Sequence, residues 1–136
     1  MSAGAEAALE DAVMARLAGD AGVKVVLGDP VRVLAQASAR PAYPYLEVVR
    51  HESVAGGGAA ADSSEHRLDL AVVARDGGRD EAREALAAVR AALAGTALGM
   101  TGHRCVLLLP VFADLTPARS GGYRALLRMK AVVEAA

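Results

Sequence analysis

The chain has 136 residues, a formal net charge of −1, 54% hydrophobic residues and only 3% aromatic ones. That balance excludes a strongly basic nucleic-acid binder, because tight phosphate binding needs clustered Lys and Arg. The single cysteine, Cys105, excludes an intramolecular disulfide and a cysteine-based zinc site.

The length predicts one domain over residues 1–136, enough to bury roughly 68% of the unfolded surface. With so few aromatics the core must come from Leu and Val, and alanine adds little transfer energy. Such a modest core suits a subunit that gains stability from neighbours. Met1 to Glu6 lacks the basic segment and apolar stretch of a secretory signal, and the apolar runs are too short to span a bilayer. The expectation is a protein made and kept in a cytoplasm, or packaged into something assembled there, with no membrane partner.

Ala5 to Ala18 reads as a helix, with Leu9, Val13 and Leu17 spaced by four and Ala12 alongside. Gly19 is its expected C-terminal cap. Val23 to Leu27 is apolar and short, compatible with a helical turn or a buried strand. Gly28-Asp29-Pro30 marks a turn, and Val31 to Leu34 suggests a short edge strand. Pro41 and Pro44 hold the residues before them extended. Tyr45 to Val54 follows as a strand with Leu46 and Val48 on one face, continued by Arg50 and Glu52.

The segment Ala55 to Ser64 contains three successive glycines and reads as a mobile loop. Beyond it Leu68, Leu70 and Val72 alternate with Arg67, Asp69 and Ala71, the pattern of a half-buried strand that forms an antiparallel hairpin with the preceding one. Arg79 to Ala94 is a helix with an apolar stripe of Ala82, Ala85, Leu86, Val89 and Leu93, ended by Gly95. Cys105 to Phe112 and Tyr123 to Val133 are two closing strands. In the last, Ala125, Leu127, Met129, Ala131 and Val133 share one face, opposite Arg124, Leu126, Arg128, Lys130 and Val132. The expected fold is α+β: an antiparallel sheet of four to five strands with two helices on one face.

Chemistry-bearing patterns are sparse. His51, His66 and His103 lie far apart, without metal-ligand spacing, and read as surface or hairpin histidines. Ser63-Ser64 lacks the strand-turn-helix frame of a nucleophile elbow. Gly77-Gly78 sits where a strand runs into a helix, a place that can bind phosphate. Yet no Gly-Lys-Ser/Thr follows, and Asp80 and Glu81 would repel an anion, so a tight turn is the better reading. Cys105, within an apolar run, reads as a buried core thiol. The expectation is therefore no catalytic residues, no metal and no cofactor. Polar strand faces remain. Arg124, Arg128 and Lys130, opposed by the mixed face of Glu65, Arg67 and Asp69, read as a subunit contact or a solvated face, since no base-stacking aromatics lie beside them. With Gly56, Gly57, Gly58 and Asp62 of the loop, they are the candidate interface residues.

The order of segments carries more information than any one residue. The opening helix, the lead-in Tyr43-Pro44-Tyr45, the junction Arg75 to Arg79, and Gly102-His103-Arg104 before a closing hairpin together resemble the DUF3168 family of phage tail-completion or tail-terminator proteins, found also in gene transfer agents. The likeness runs from about Leu9 to Glu134. It implies a hexameric ring on the head-proximal end of the tail tube that stops tube polymerisation and meets the neck or stopper protein of the head. It also implies that DNA passes through without tight binding, and that the protein resides in the virion or gene transfer agent particle. The alternative is a small α+β ligand-binding or regulatory dimer.

Overall fold

The computed structural model of the chain describes residues 4–34, 42–56, 62–94, 98–119 and 121–136. Its elements are α1 (Ala5–Ala18), α2 (Ala21–Leu27), β1 (Tyr45–Ala55), β2 (Ser63–Ala74), α3 (Arg79–Leu93), β3 (His103–Pro117) and β4 (Tyr123–Ala135). The strands form one sheet in the order β1-β2-β4-β3, antiparallel at every pairing. The fold is α+β, with four strands and three helices among the described residues.

Each boundary has a local cause. Asp20 stands between α1 and α2, and its Oδ1 accepts the Val23 backbone N–H at 2.9 Å. This cap resolves the short apolar run Val23 to Leu27 as a helix. At the β2–α3 junction Gly77 has φ +77°, and the Gly78 N–H donates to Arg75 O at 2.9 Å. Asp80 and Glu81 occupy the first turn of α3, where acids favour the helix dipole, and Glu81 pairs with Arg75 at 2.7 Å. The junction is a tight turn.

One sheet face meets the helices. Leu46 of β1, Leu68, Leu70 and Val72 of β2, and Leu127, Met129 and Val133 of β4 are closed off against Leu9, Val13 and Leu17 of α1 and Val89 and Leu93 of α3. Val23 and Leu27 of α2 complete this core. Leu86, expected in the α3 stripe, is only half-buried at the margin of the cluster. Cys105 is likewise half-buried rather than enclosed, and its Sγ donates to Leu107 O. Gly95, the expected end of α3, lies outside the described residues.

The expectations for β1 and the residues before it need two corrections. The run Val31 to Leu34 makes no strand; a single parallel bridge joins Val33 to Leu46. Along β1 the register shifts between Val48 and Arg50, so that Val49 is a bulged extra residue. The expected face of Leu46, Val48, Arg50 and Glu52 therefore splits. His51 and Ser53 continue the helix-facing side, opposite Leu68 and His66, while Arg50 and Glu52 pair with Asp69 and Arg67 on the other face. The sheet is thus left with one polar open face, built from all four strands.

Candidate functional site

The open face brings together six of the expected interface side chains. Asp69, at the middle of β2, is flanked across the ladder by Arg50 of β1 and Arg128 of β4. Arg128 holds the Asp69 carboxylate through two N–H donors at 3.0 and 3.5 Å, and Arg67 approaches it at 3.5 Å. The carboxylate is buried under these long side chains, only 5% exposed. The Arg128 guanidinium also lies 5.0 Å from the centroid of the Phe112 ring, a cation–π arrangement. Glu52 receives both Arg50 at 2.6 Å and Arg67 at 3.6 Å. Lys130 stands 4.0 Å from Glu65, and Arg124 reaches Glu47 at 3.9 Å. That last pair bridges β4 and β1 across β2, where Ala71 is small enough to lie buried beneath it.

These pairs decide what the face can do. Exposed ion pairs are worth about 0–1 kcal/mol each, so most of them fix side-chain positions rather than stability. Asp69 differs, because removing a partner from a buried carboxylate leaves its desolvation uncompensated. Basic and acidic groups alternate over the face, which presents a patterned, near-neutral surface rather than a cationic stripe. A groove of about 570 Å³ runs over it, bordered by Glu52, Val54, Glu65, Arg67, Val111 and Lys130.

Of the other expected interface residues, Gly56 ends β1 with φ +87°, and its N–H donates to Ser63 O at 2.8 Å. Asp62 is exposed just before β2, its carbonyl accepting from the Ala135 N–H. Gly57 and Gly58 lie outside the described residues, with the rest of 57–61; the ends of the loop expected over Ala55 to Ser64 are strand instead, Ala55 closing β1 and Ser63 and Ser64 opening β2.

The histidines are where the structure departs most from expectation. Because of the Val49 bulge, His51 projects to the helix side beside His66. Their rings are bonded Nε2 to Nδ1 at 2.8 Å. His51 Nδ1 lies 2.7 Å from a Glu10 carboxylate oxygen of α1, and His66 Nε2 lies 2.7 Å from Ser64 Oγ. One set of protons satisfies the whole chain: Ser64 donates to His66, His66 to His51, and His51 to Glu10. Ser53 donates to Glu6 beside it. His66 is enclosed, at 3% exposure. Burial pushes its pKa below the ordinary histidine value, and the neighbouring His51 adds to that. The Ser53 hydrogen bond draws the Glu6 carboxyl below its usual value. This polar seam ties α1 to the β1–β2 hairpin. The pairing was hidden in the sequence, since 15 residues separate the two rings and the bulge brings them to one face.

Among the described residues no group of three or more His, Cys, Asp or Glu side chains is arranged to hold a metal ion. No helix in them is long and apolar enough to cross a membrane. The family model of tail completion protein gp17 matches residues 11–134. Among solved structures, the chain is similar to one from the virion of a native gene transfer agent (GTA) particle. The TM-score is 0.84 at 25% identity, over 97% of this chain and 99% of that one. No curated protein matches significantly.

Proposed function

The chain belongs to the family of tail completion protein gp17, and from that premise we propose that it works as a tail terminator, a ring that closes the head-proximal end of the tail tube. It is a structural protein of the tail of a phage virion or a gene transfer agent particle. In this reading the copies form a hexameric ring, stop tube polymerisation and offer a docking surface to the neck or stopper protein of the head. DNA passes through the ring without tight binding. The open face, with Glu65, Arg67, Asp69, Arg124, Arg128 and Lys130, is the surface turned to other virion components.

The observation that carries this reading is the match along nearly the whole chain, in both sequence family and three-dimensional fold. The chemistry of the surface supports it. Arg50, Arg67, Arg128 and Lys130 pair with Glu52, Asp69 and Glu65 on the open face, which fixes the pattern of charge that a partner would meet. Its mixed charge disfavours a lumen or collar that would grip phosphates and stall DNA.

Omitting the protein during particle assembly tests the proposal. Electron micrographs should then contain tails of uncontrolled length, or normal tails detached from filled heads. Normal-length tails joined to filled heads in its absence would refute it, and the regulatory-dimer reading would take its place.

A further inference from the structure

The hydrogen-bond chain between α1 and the β1–β2 hairpin has room for a limited number of protons. His66 Nδ1 and His51 Nε2 lie 2.8 Å apart, with ring centroids separated by 5.0 Å. The outer ends of the chain are Ser64 Oγ, 2.7 Å from His66 Nε2, and a Glu10 carboxylate oxygen, 2.7 Å from His51 Nδ1. Every ring nitrogen is thereby engaged, and at each contact one atom must donate and the other accept.

Proton counting separates three states of this seam. With both rings neutral, Ser64 donates to His66, His66 to His51 and His51 to Glu10. One added proton is absorbed without movement: His66 donates from both nitrogens, and the Ser64 hydroxyl turns to accept. A second is not absorbed. It puts N–H groups on both His66 Nδ1 and His51 Nε2, two donors facing each other over 2.8 Å on rings of like charge.

The surroundings decide which ring yields. His66 lies on β2, between β1 and β4, and is enclosed. Across the ladder it meets Ala131 of β4, and His103 of β3 adds to the positive charge around it. His51 lies on the outermost strand, with Glu10 of α1 bonded to it and Glu6 the next carboxylate. Once charged it stays with Glu10, so the two leave His66 together.

We propose that the seam is an acid-operated latch: the second proton drives the His51–Glu10 pair away from His66 and frees the first turns of α1 from the hairpin while the rest of the core stays closed. The helix has two kinds of attachment. Toward its start, Glu6 and Glu10 bond to Ser53 and His51; toward its end, Val13 and Leu17 are enclosed in the apolar core. Only the first kind depends on the proton count. Released histidines titrate near the ordinary value of about 6.5. The open form binds at least one proton more than the closed form. Its population therefore rises about tenfold for each unit that pH falls below that value.

Hydrogen exchange on the full chain tests the latch, read residue by residue by NMR and corrected for the intrinsic pH dependence of exchange. Protection of the Leu9 to Val13 amides should fall about tenfold between pH 6 and pH 5. At both pH values it should stay at least about tenfold below that of Val89 to Leu93 in α3, and small additions of denaturant should not change it, as for a local opening. His66→Gln, which leaves one titrating ring in the seam, should keep α1 protection constant over this range. Constant protection in the native chain would overturn the proposal. So would equal protection in α1 and α3, since the helix would then leave only when the whole fold does. A fall in His66→Gln as large as in the native chain would take the latch away from this pair. Histidine ¹⁵N spectra give a further arm that needs no variant: two fully protonated rings at pH 5 with α1 protection undiminished would overturn it.

Discussion

Asp69 is the residue on which the open face turns. Its carboxylate is buried, and Arg128 supplies its two-pronged partner. Arg128→Met should therefore lower stability by about 1–3 kcal/mol, chiefly through the stranded carboxylate. Asp69→Asn added to it should recover part of that loss. A double-mutant cycle from denaturant midpoints measures the coupling, and simple additivity of the two changes would mean the pair is not coupled. Gly122 is the second residue with a sharp requirement. It has φ +82°, and a Cβ there would collide with Ala74 O. Gly122→Ala should cost at least about 1–3 kcal/mol through strain and contact together, read by chemical denaturation. The alternation of Arg67, Asp69, Arg124, Arg128 and Lys130 was readable in the sequence, because strand side chains alternate faces. Which carboxylate each cation meets was not, because that depends on the order β1-β2-β4-β3.

Among the elements, α3 and β2 were legible because their apolar spacing is regular. Leu86 shows the limit of that regularity: it falls on the stripe yet sits at the core's margin. Leu93→Ala should cost about 2–5 kcal/mol, as expected for an enclosed leucine, and Leu86→Ala distinctly less. Equal midpoints for the two variants would place Leu86 in the core after all. In β1 one inserted residue, Val49, reverses the facing of everything after it, and no local pattern announces it. The histidine seam between α1 and the hairpin follows from that reversal and makes the attachment of α1 sensitive to acid. His66 is held below its ordinary pKa, so the unfolded chain binds its proton first as pH falls. Stability is full above about pH 6.5 and declines as pH drops below it. Glu6, whose pKa is also lowered, extends the decline below about pH 4.5, since its favourable charge is lost on protonation. Denaturation midpoints from pH 7.5 to 5 should fall in the native chain and fall less in His66→Gln; parallel curves would remove His66 from this role.

For the whole molecule, the layer arrangement and the order of segments were legible, because helix and strand periods and turn residues recur along most of the chain. The exposed apolar side chains at the sheet margins were not, since exposure there depends on which strands lie outermost. The chain's net charge of −1 and the balanced charge of its open face predict weak nonspecific DNA binding, roughly 10⁻⁴ M or poorer at physiological salt, measurable by fluorescence anisotropy. Affinity in the nanomolar range at that salt would contradict a conduit that lets DNA slide. The central claim is that this protein is a ring at one defined place in the particle. Gold-labelling the chain in purified particles and locating the label by electron microscopy tests it most directly. The account predicts label confined to the junction of tail and head, in the number of one ring; label spread along the tail tube, or none in complete particles, would contradict it.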